Sequence, residues 1–202
     1  SPMNGCIPSS GSTSTGIINW QAMIKVSNLT KSLDGQVILD GLSIEIKDGE
    51  IVAILGRSGA GKSVLLKHMI GLMKPDQGTV EIDSVVITGL FEKDLLKIRK
   101  KIGFLFQEGA LYDFMDVFDN IAFPLREHTS IKPQEIAQRV REVLDMVDLK
   151  DVEDKMPSEL SGGMKKRAAL ARAIVLKPKV LFCDEPTSGL DPLRSRDISA
   201  MI

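Results

Sequence analysis

The sequence predicts an α/β fold: a core sheet joined to an antiparallel β subdomain and interrupted by an inserted helical subdomain. Three observations carry this. The apolar run Ile51–Leu55 leads into a glycine-rich turn and then a helical stretch. A second apolar run, Val180–Cys183, ends in the paired carboxylates Asp184 and Glu185. Between them, from about Val117 to Lys155, apolar residues recur at helical spacing and no strand of comparable strength interrupts them.

The chain has 202 residues, 43% hydrophobic and 26% charged, with a formal net charge of −1. That length suits one domain with a substantial core. The charge balance gives no reason to expect nucleic acid as a partner. Cys6 and Cys183 lie far apart and form no metal or redox spacing, which fits a reduced, cytoplasmic setting. No apolar run approaches the ~18 residues of a membrane span. Residues 1–21 are rich in Ser, Gly and Thr, with neither an apolar signal core nor a basic start, and are expected to be a flexible tail outside the fold.

The elements follow in order. Met23–Leu29 and Val37–Ile46 read as strands around a turn at Gly35. Asp48-Gly49 is a further turn. Ile51–Leu55 is β-branched-rich and is expected to be a strand buried on both faces. A helix is expected from Lys62 to about Met73, ended by Pro75 and Gly78. Thr79–Thr88 reads as a hairpin around Asp83-Ser84. A short basic helix spans Asp94–Lys101, and Ile102–Phe106 is a strand ending at Gln107. In the helical stretch, Ile136, Val140, Val143, Leu144 and Val147 share one face. Residues 22–107 and about 165–202 are therefore expected to form the core, and residues from about 108 to 164 the helical insertion.

Gly56-Arg57-Ser58-Gly59-Ala60-Gly61-Lys62-Ser63 matches G-x-x-x-x-G-K-[ST] in full, after an apolar strand and at a helix start. Glycines let several backbone N–H groups face one anion, and the helix N-terminus adds partial positive charge. Lys62 is expected to reach the β- and γ-phosphates of a nucleotide, and the Ser63 hydroxyl to ligate Mg²⁺. Asp184, at the end of its strand, is expected in the Mg²⁺ shell. Glu185 is placed to polarise the attacking water. Together these motifs indicate a P-loop NTPase with a RecA-like core sheet, and they leave the choice among its many functions open.

Leu160-Ser161-Gly162-Gly163-Met164 resembles the LSGGQ signature of ABC ATPases, with Met in place of Gln, and lies shortly before Asp184-Glu185 as in that family. Ser161 can cap the following helix, from Gly162 to about Leu176, while Gly162 and Gly163 leave its first turn open to a phosphate. The resemblance implies a head-to-tail pair of subunits in which each signature completes the other's ATP site. It further implies that Gln107 is the family's sensor of Mg²⁺ and attacking water, and that Asp191, in Ser188-Gly189-Leu190-Asp191, belongs to the loop that crosses the dimer interface. Alignment places Leu33 where the family carries an aromatic residue against the adenine; Leu offers no π-face. The family's switch His is expected on a later strand, and neither His68, in the first helix, nor His128, in the insertion, is placed to serve. The C-terminal strands are thus expected to be truncated, and turnover by this chain is in question on that ground.

The segments from Gln107 to Asp113, Val117 to His128, Met156 to Glu159 and Lys165 to Ala173 narrow the resemblance. They look like the ATPase of bacterial Mce-associated phospholipid transporters, the maintenance-of-lipid-asymmetry or toluene-tolerance-like type, in which a terminal Met in the signature is also found. This implies ATP hydrolysis that drives transport of phospholipid or a related apolar cargo, and a peripheral position on the inner face of the cell membrane. It also implies a permease docked near residues 108–128, where Leu111, Tyr112, Phe114, Met115, Val117 and Phe118 alternate with acids. The alternatives are a soluble non-transport ABC ATPase and a nucleotide-binding fragment without turnover. Against the first, residues 108–160 alone separate Gln107 from Ser161, too short for an intervening coiled coil, and no second cassette is present.

Overall fold

The computed structural model describes residues 22–57, 59–107 and 109–185. Ser58 and Asp191 lie outside them. Strands β1 (Ala22–Leu33) and β2 (Gln36–Lys47) form a hairpin turned by Asp34 and Gly35, both with positive φ. β3 (Gln77–Ile82) and the two-residue β4 (Val85–Val86) add to it, giving an antiparallel sheet in the order β2-β1-β3-β4. The Asp83-Ser84 turn between β3 and β4 lies where the sequence places it. Helices α1 (Lys62–Met69) and α2 (Glu92–Arg99) follow the glycine-rich turn and this hairpin.

A second sheet pairs β5 (Ile102–Leu105) and β6 (Val180–Cys183) in parallel, with Phe104 opposite Phe182 and Leu105 opposite Cys183. Parallel strands need a long crossover. Here the crossover contains α3 (Val117–His128), α4 (Pro133–Met146) and α5 (Gly162–Ile174). The α4 face expected from the sequence is buried: Ile136, Val140, Val143 and Leu144 all lie inside.

Strand alternation makes β5 and β6 a partition between two cores. Ile102, Phe104 and Phe182 face a core built on the antiparallel sheet, α1 and α2, around Ile24, Val26, Leu29, Met69 and Val80. Leu105, Leu181 and Cys183 face a core inside the helical lobe, around Ile121, Leu125, Val140, Leu144 and Leu170. Helix α5 lies so close to β5 that a Cβ on Gly103 would come within 2.5 Å of the Ala173 carbonyl oxygen. Asp83 ties the first sheet to the second, accepting hydrogen bonds from Lys101 (3.1 Å) and Lys179 (3.2 Å). Those two lysines hold its carboxyl below the usual carboxylate range.

Two expectations need correction. Ile51–Leu55 is not a buried strand: it carries no ladder, and Ile51 and Leu55 are 85% and 91% exposed. A central strand must be hydrogen-bonded along both edges to be buried on both faces. Residues 51–54 instead line, with β6, an open cleft of about 710 Å³, and among the described residues no strand is paired with them. The first helix is also shorter than expected, stopping at Met69, with Gly71 at φ 68° reversing the chain before Pro75 is reached.

Candidate active site

The turn from Gly56 to Gly61 rises from the exposed segment 51–55 and delivers the chain to α1. Gly61 is the N-cap of that helix at φ 86°, in the left-handed region. A Cβ there would also meet Ile38 Cγ2 at 2.9 Å, so space and backbone both demand glycine. No side chain caps α1, which leaves its first N–H groups directed out of the helix end. The contact with Ile38 sets the glycine-rich turn against β2, next to the β1–β2 turn at whose edge Leu33 pairs with Gln36.

Lys62 folds back over this turn. Its Nζ donates to the carbonyl oxygens of Gly56 (3.1 Å) and Arg57 (3.2 Å) and lies 3.8 Å from Glu185 Oε1. One residue on, the Ser63 hydroxyl donates to Asp184 Oδ1 at 3.0 Å. From the end of β5, Gln107 Nε2 donates to Glu185 Oε2 at 3.0 Å. Glu185 has φ 48°, so the chain leaves strand geometry there and its carboxylate does not simply alternate with that of Asp184. Lys62, Ser63, Gln107, Asp184 and Glu185, drawn from three distant segments, therefore form one connected polar cluster. Lys166 of α5 is 8% exposed; burial pushes its ammonium down and the charge of Glu185 opposes that.

Nothing described joins Ser161, Gly162 or Gly163 to this cluster. Ser161 caps α5 as expected, accepting from Met164 N–H at 3.3 Å. Both it and Gly162 are exposed, and a Cβ on Gly162 would meet nothing within 4 Å. The start of α5 is thus open to an approaching molecule at Ser161 and Gly162, whereas Gly163 behind them is buried. His68 is buried in α1 with Nδ1 donating to the Val64 carbonyl at 2.7 Å, a structural role in keeping with the sequence; His128 is exposed at the end of α3.

The donor set fits a magnesium–nucleotide. Hydroxyl, carboxylate and amide oxygens are the hard ligands that Mg²⁺ takes, and it needs only one or two from protein. Because Gln107 Nε2 is engaged with Glu185, its amide oxygen is the atom left for a metal or a water.

Two residues of this region are invisible to motif reading. Asn120 is fully buried in α3: its Oδ1 accepts from Tyr112 N–H (2.7 Å), and its Nδ2 donates to the carbonyls of Tyr112, Met115 and Asp116 (3.0, 2.9 and 2.9 Å). It fixes the loop after Gln107. Arg172 of α5 grips the same loop from below, at the carbonyls of Gly109 and Ala110. The one signal available for Arg172 is its charge within the apolar run Ala168–Ile174.

A family model described as ABC transporter matches residues 39–188. Among curated proteins, the "Probable ribonucleotide transport ATP-binding protein mkl" of Mycobacterium leprae (strain TN) is 49% identical over 179 residues, covering 89% of this chain and 52% of that protein. The "Intermembrane phospholipid transport system ATP-binding protein MlaF" of Haemophilus influenzae is 46% identical over 182 residues, covering 90% and 69%. A solved dimeric post-hydrolysis structure of the ATP-binding cassette MJ0796, bound to ADP and Pi, superposes with a TM-score of 0.82 at 34% identity, covering 89% of this chain and 81% of that one. The chain spans about half the length of the mycobacterial relatives it matches.

Proposed function

Because this chain belongs to the ABC transporter family, we propose that it is the ATP-binding and hydrolysing subunit that energises a bacterial membrane transporter of phospholipid or a related apolar cargo. The convergence of Lys62, Ser63, Gln107, Asp184 and Glu185 carries the ATPase reading. The likeness to the phospholipid transport protein and the residues of the insertion support the cargo. The mycobacterial relatives are named for ribonucleotide transport, so cargo is the finest-grained part of the reading.

In this reading, residues 22–202 form one nucleotide-binding domain with residues from about 108 to 164 as its helical insertion. The open N-terminus of α1 and the Lys62 ammonium take the β- and γ-phosphates. Mg²⁺, held by Ser63, Asp184 and Gln107, would neutralise charge between those phosphates. Glu185, oriented by the Gln107 amide, accepts the proton of the attacking water. Leu33 packs on the base. A second copy, paired head to tail, presents Ser161, Gly162 and Gly163 to the γ-phosphate; Ser58 belongs to the phosphate loop, and Asp191 to the loop that crosses the dimer interface. A permease docks on the insertion near residues 108–128, where Phe114 (76% exposed) and Tyr112 (39% exposed) stand beside exposed Asp113. No helix among the described residues is long and apolar enough to cross a membrane. The permease would hold the chain on the inner face of the cell membrane.

ATP binding and Mg²⁺-dependent turnover of this chain, compared with Glu185→Gln, test the reading. Retained ATP binding with turnover lowered roughly 10²–10⁴-fold is expected, the range for loss of a positioned base. A chain that binds no ATP, or equal turnover in the variant, overturns it.

A further inference from the structure

Arg172 belongs to neither phosphate motif nor to the signature, yet it bonds the loop after Gln107 to α5. Its Nη1 donates to the Ala110 carbonyl and its Nη2 to the Gly109 carbonyl, each at 2.8 Å. Its guanidinium carbon lies 5.6 Å from the centre of the Tyr112 ring. Gly109 and Ala110 both have positive φ, 79° and 48°. A non-glycine residue such as Ala110 holds that conformation only where its surroundings specify it. Here the two adjacent carbonyls are turned toward one planar fork, whose spaced donors fit them as a lysine ammonium cannot.

The loop also seats on the helix directly. A Cβ on Gly109 would meet Ala169 Cβ at 3.1 Å and the Lys165 carbonyl oxygen at 3.5 Å. Lys165, Ala169 and Arg172 fall at i, i+4 and i+7, so one stripe of α5 receives the whole turn. Two residues before Gly109 stands Gln107, bonded to Glu185. Beyond Ala110, Asn120 fixes Tyr112. At the other end of α5, about 16 Å away at 1.5 Å per residue, lies the Ser161 cap.

We propose that Arg172 is a positioning residue that locks the Gln107 loop to α5, so that Gln107 and the Ser161 end of the helix move as one body when nucleotide binds. This rests on the reading of Gln107 and Ser161 as parts of the ATP site. Arg172 is engaged with the Gly109 and Ala110 carbonyls and the Tyr112 ring; it acts by setting where Gln107 stands relative to α5.

The test is a double-mutant cycle in the full chain, with Arg172→Lys, Gln107→Ala and the pair, reading ATP binding, kcat and KM. Arg172→Lys is expected to leave ATP binding and KM within about threefold while lowering kcat about tenfold or more. In the Gln107→Ala background the same change should alter kcat by less than about twofold, because residues acting as one unit are non-additive. Losses that multiply show that Arg172 serves stability alone and overturn the proposal. Hydrogen exchange provides the readout that does not need turnover: with ATP bound, residues 109–112 and 161–172 should slow together in the parent and separately in Arg172→Lys. Joint slowing in the variant sinks the proposal. If the parent binds no ATP, the site reading fails by itself, and the lock is judged on the nucleotide-free chain. There Arg172→Lys must speed exchange at 109–112 without speeding it in α3, and unchanged exchange refutes it.

Discussion

Asp184 and Glu185 are one peptide apart and serve different partners, Ser63 for the first and Gln107 with Lys62 for the second. The pair of acids is legible in the sequence because it closes an apolar strand in a chain that also carries a phosphate loop. Magnesium-assisted phosphate chemistry needs both halves, and a solvated strand end needs neither. The turn that separates the two acids is not legible, since it depends on the φ of 48° at Glu185, which a Glu side chain does not advertise. Their neighbour Cys183 shows the same dependence on surroundings. It faces the helical core, and burial pushes its thiol up to about 11. The sign follows: the thiol stays protonated in the folded chain well above the pH at which an exposed thiol ionises. Alkylation of Cys183 should therefore be slow at pH 8, rise only toward pH 11, and accelerate sharply when denaturant opens the core; rates against pH, with the modified residue identified by mass, will show it. The same shift favours the folded state below the ordinary thiol value and is lost as pH climbs through the raised one.

Elements whose signals are local match their sequence. β6 and the Ser161 cap lie where composition puts them, because a short apolar run and a Ser before two glycines depend on few distant partners. Ile51–Leu55 has an equally strong strand composition and fails for a non-local reason: pairing requires neighbours on both edges, and no property of five residues reports that. The loop from Gln107 to Asp116 is likewise opaque. Its shape is imposed by Asn120 and Arg172, from elements that come later in the chain. Asn120 replaces a water shell with hydrogen bonds to three carbonyls and one N–H. Asn120→Ala would leave the Tyr112 N–H and the Met115 carbonyl without their side-chain partner, while the Tyr112 and Asp116 carbonyls keep backbone donors, at about 1–3 kcal/mol per unsatisfied group before relaxation. We expect a loss of about 3 kcal/mol, measured as a lowered denaturation midpoint with unchanged slope.

At the scale of the molecule, the carboxylates stand at the edge of a partition. β5 and β6 separate a core built on sheet, α1 and α2 from a core built on α3, α4 and α5, and the polar cluster sits where the two meet. At the start of α5, Ser161 and Gly162 are exposed and Gly163 is buried. One chain thus displays an uncapped helix end at α1 and an exposed helix start at α5. In the head-to-tail pair proposed above, both would be used. Ser161→Arg should keep ATP binding, since Lys62 and Ser63 are untouched, and abolish ATP-driven dimerisation, read by light scattering with and without Mg²⁺-ATP. Normal dimerisation of the variant would count against a contact in trans. Motif order and spacing carry this division in the sequence; nothing in them marks which residues join the halves.

The two sides of β6 also differ in free space, yet hydrostatic pressure would find empty volume on neither. On the α5 side, Gly103 brings β5 and the helix as near as backbones can lie. Toward residues 51–54, the strand borders a solvent-open cleft of about 710 Å³. Compression favours whatever arrangement removes empty volume. Close packing leaves the seam beneath Arg172 nothing to give, and water already fills the open cleft beneath the glycine-rich turn, so compression leaves the root of the phosphate loop standing away from the strand that bears the carboxylates.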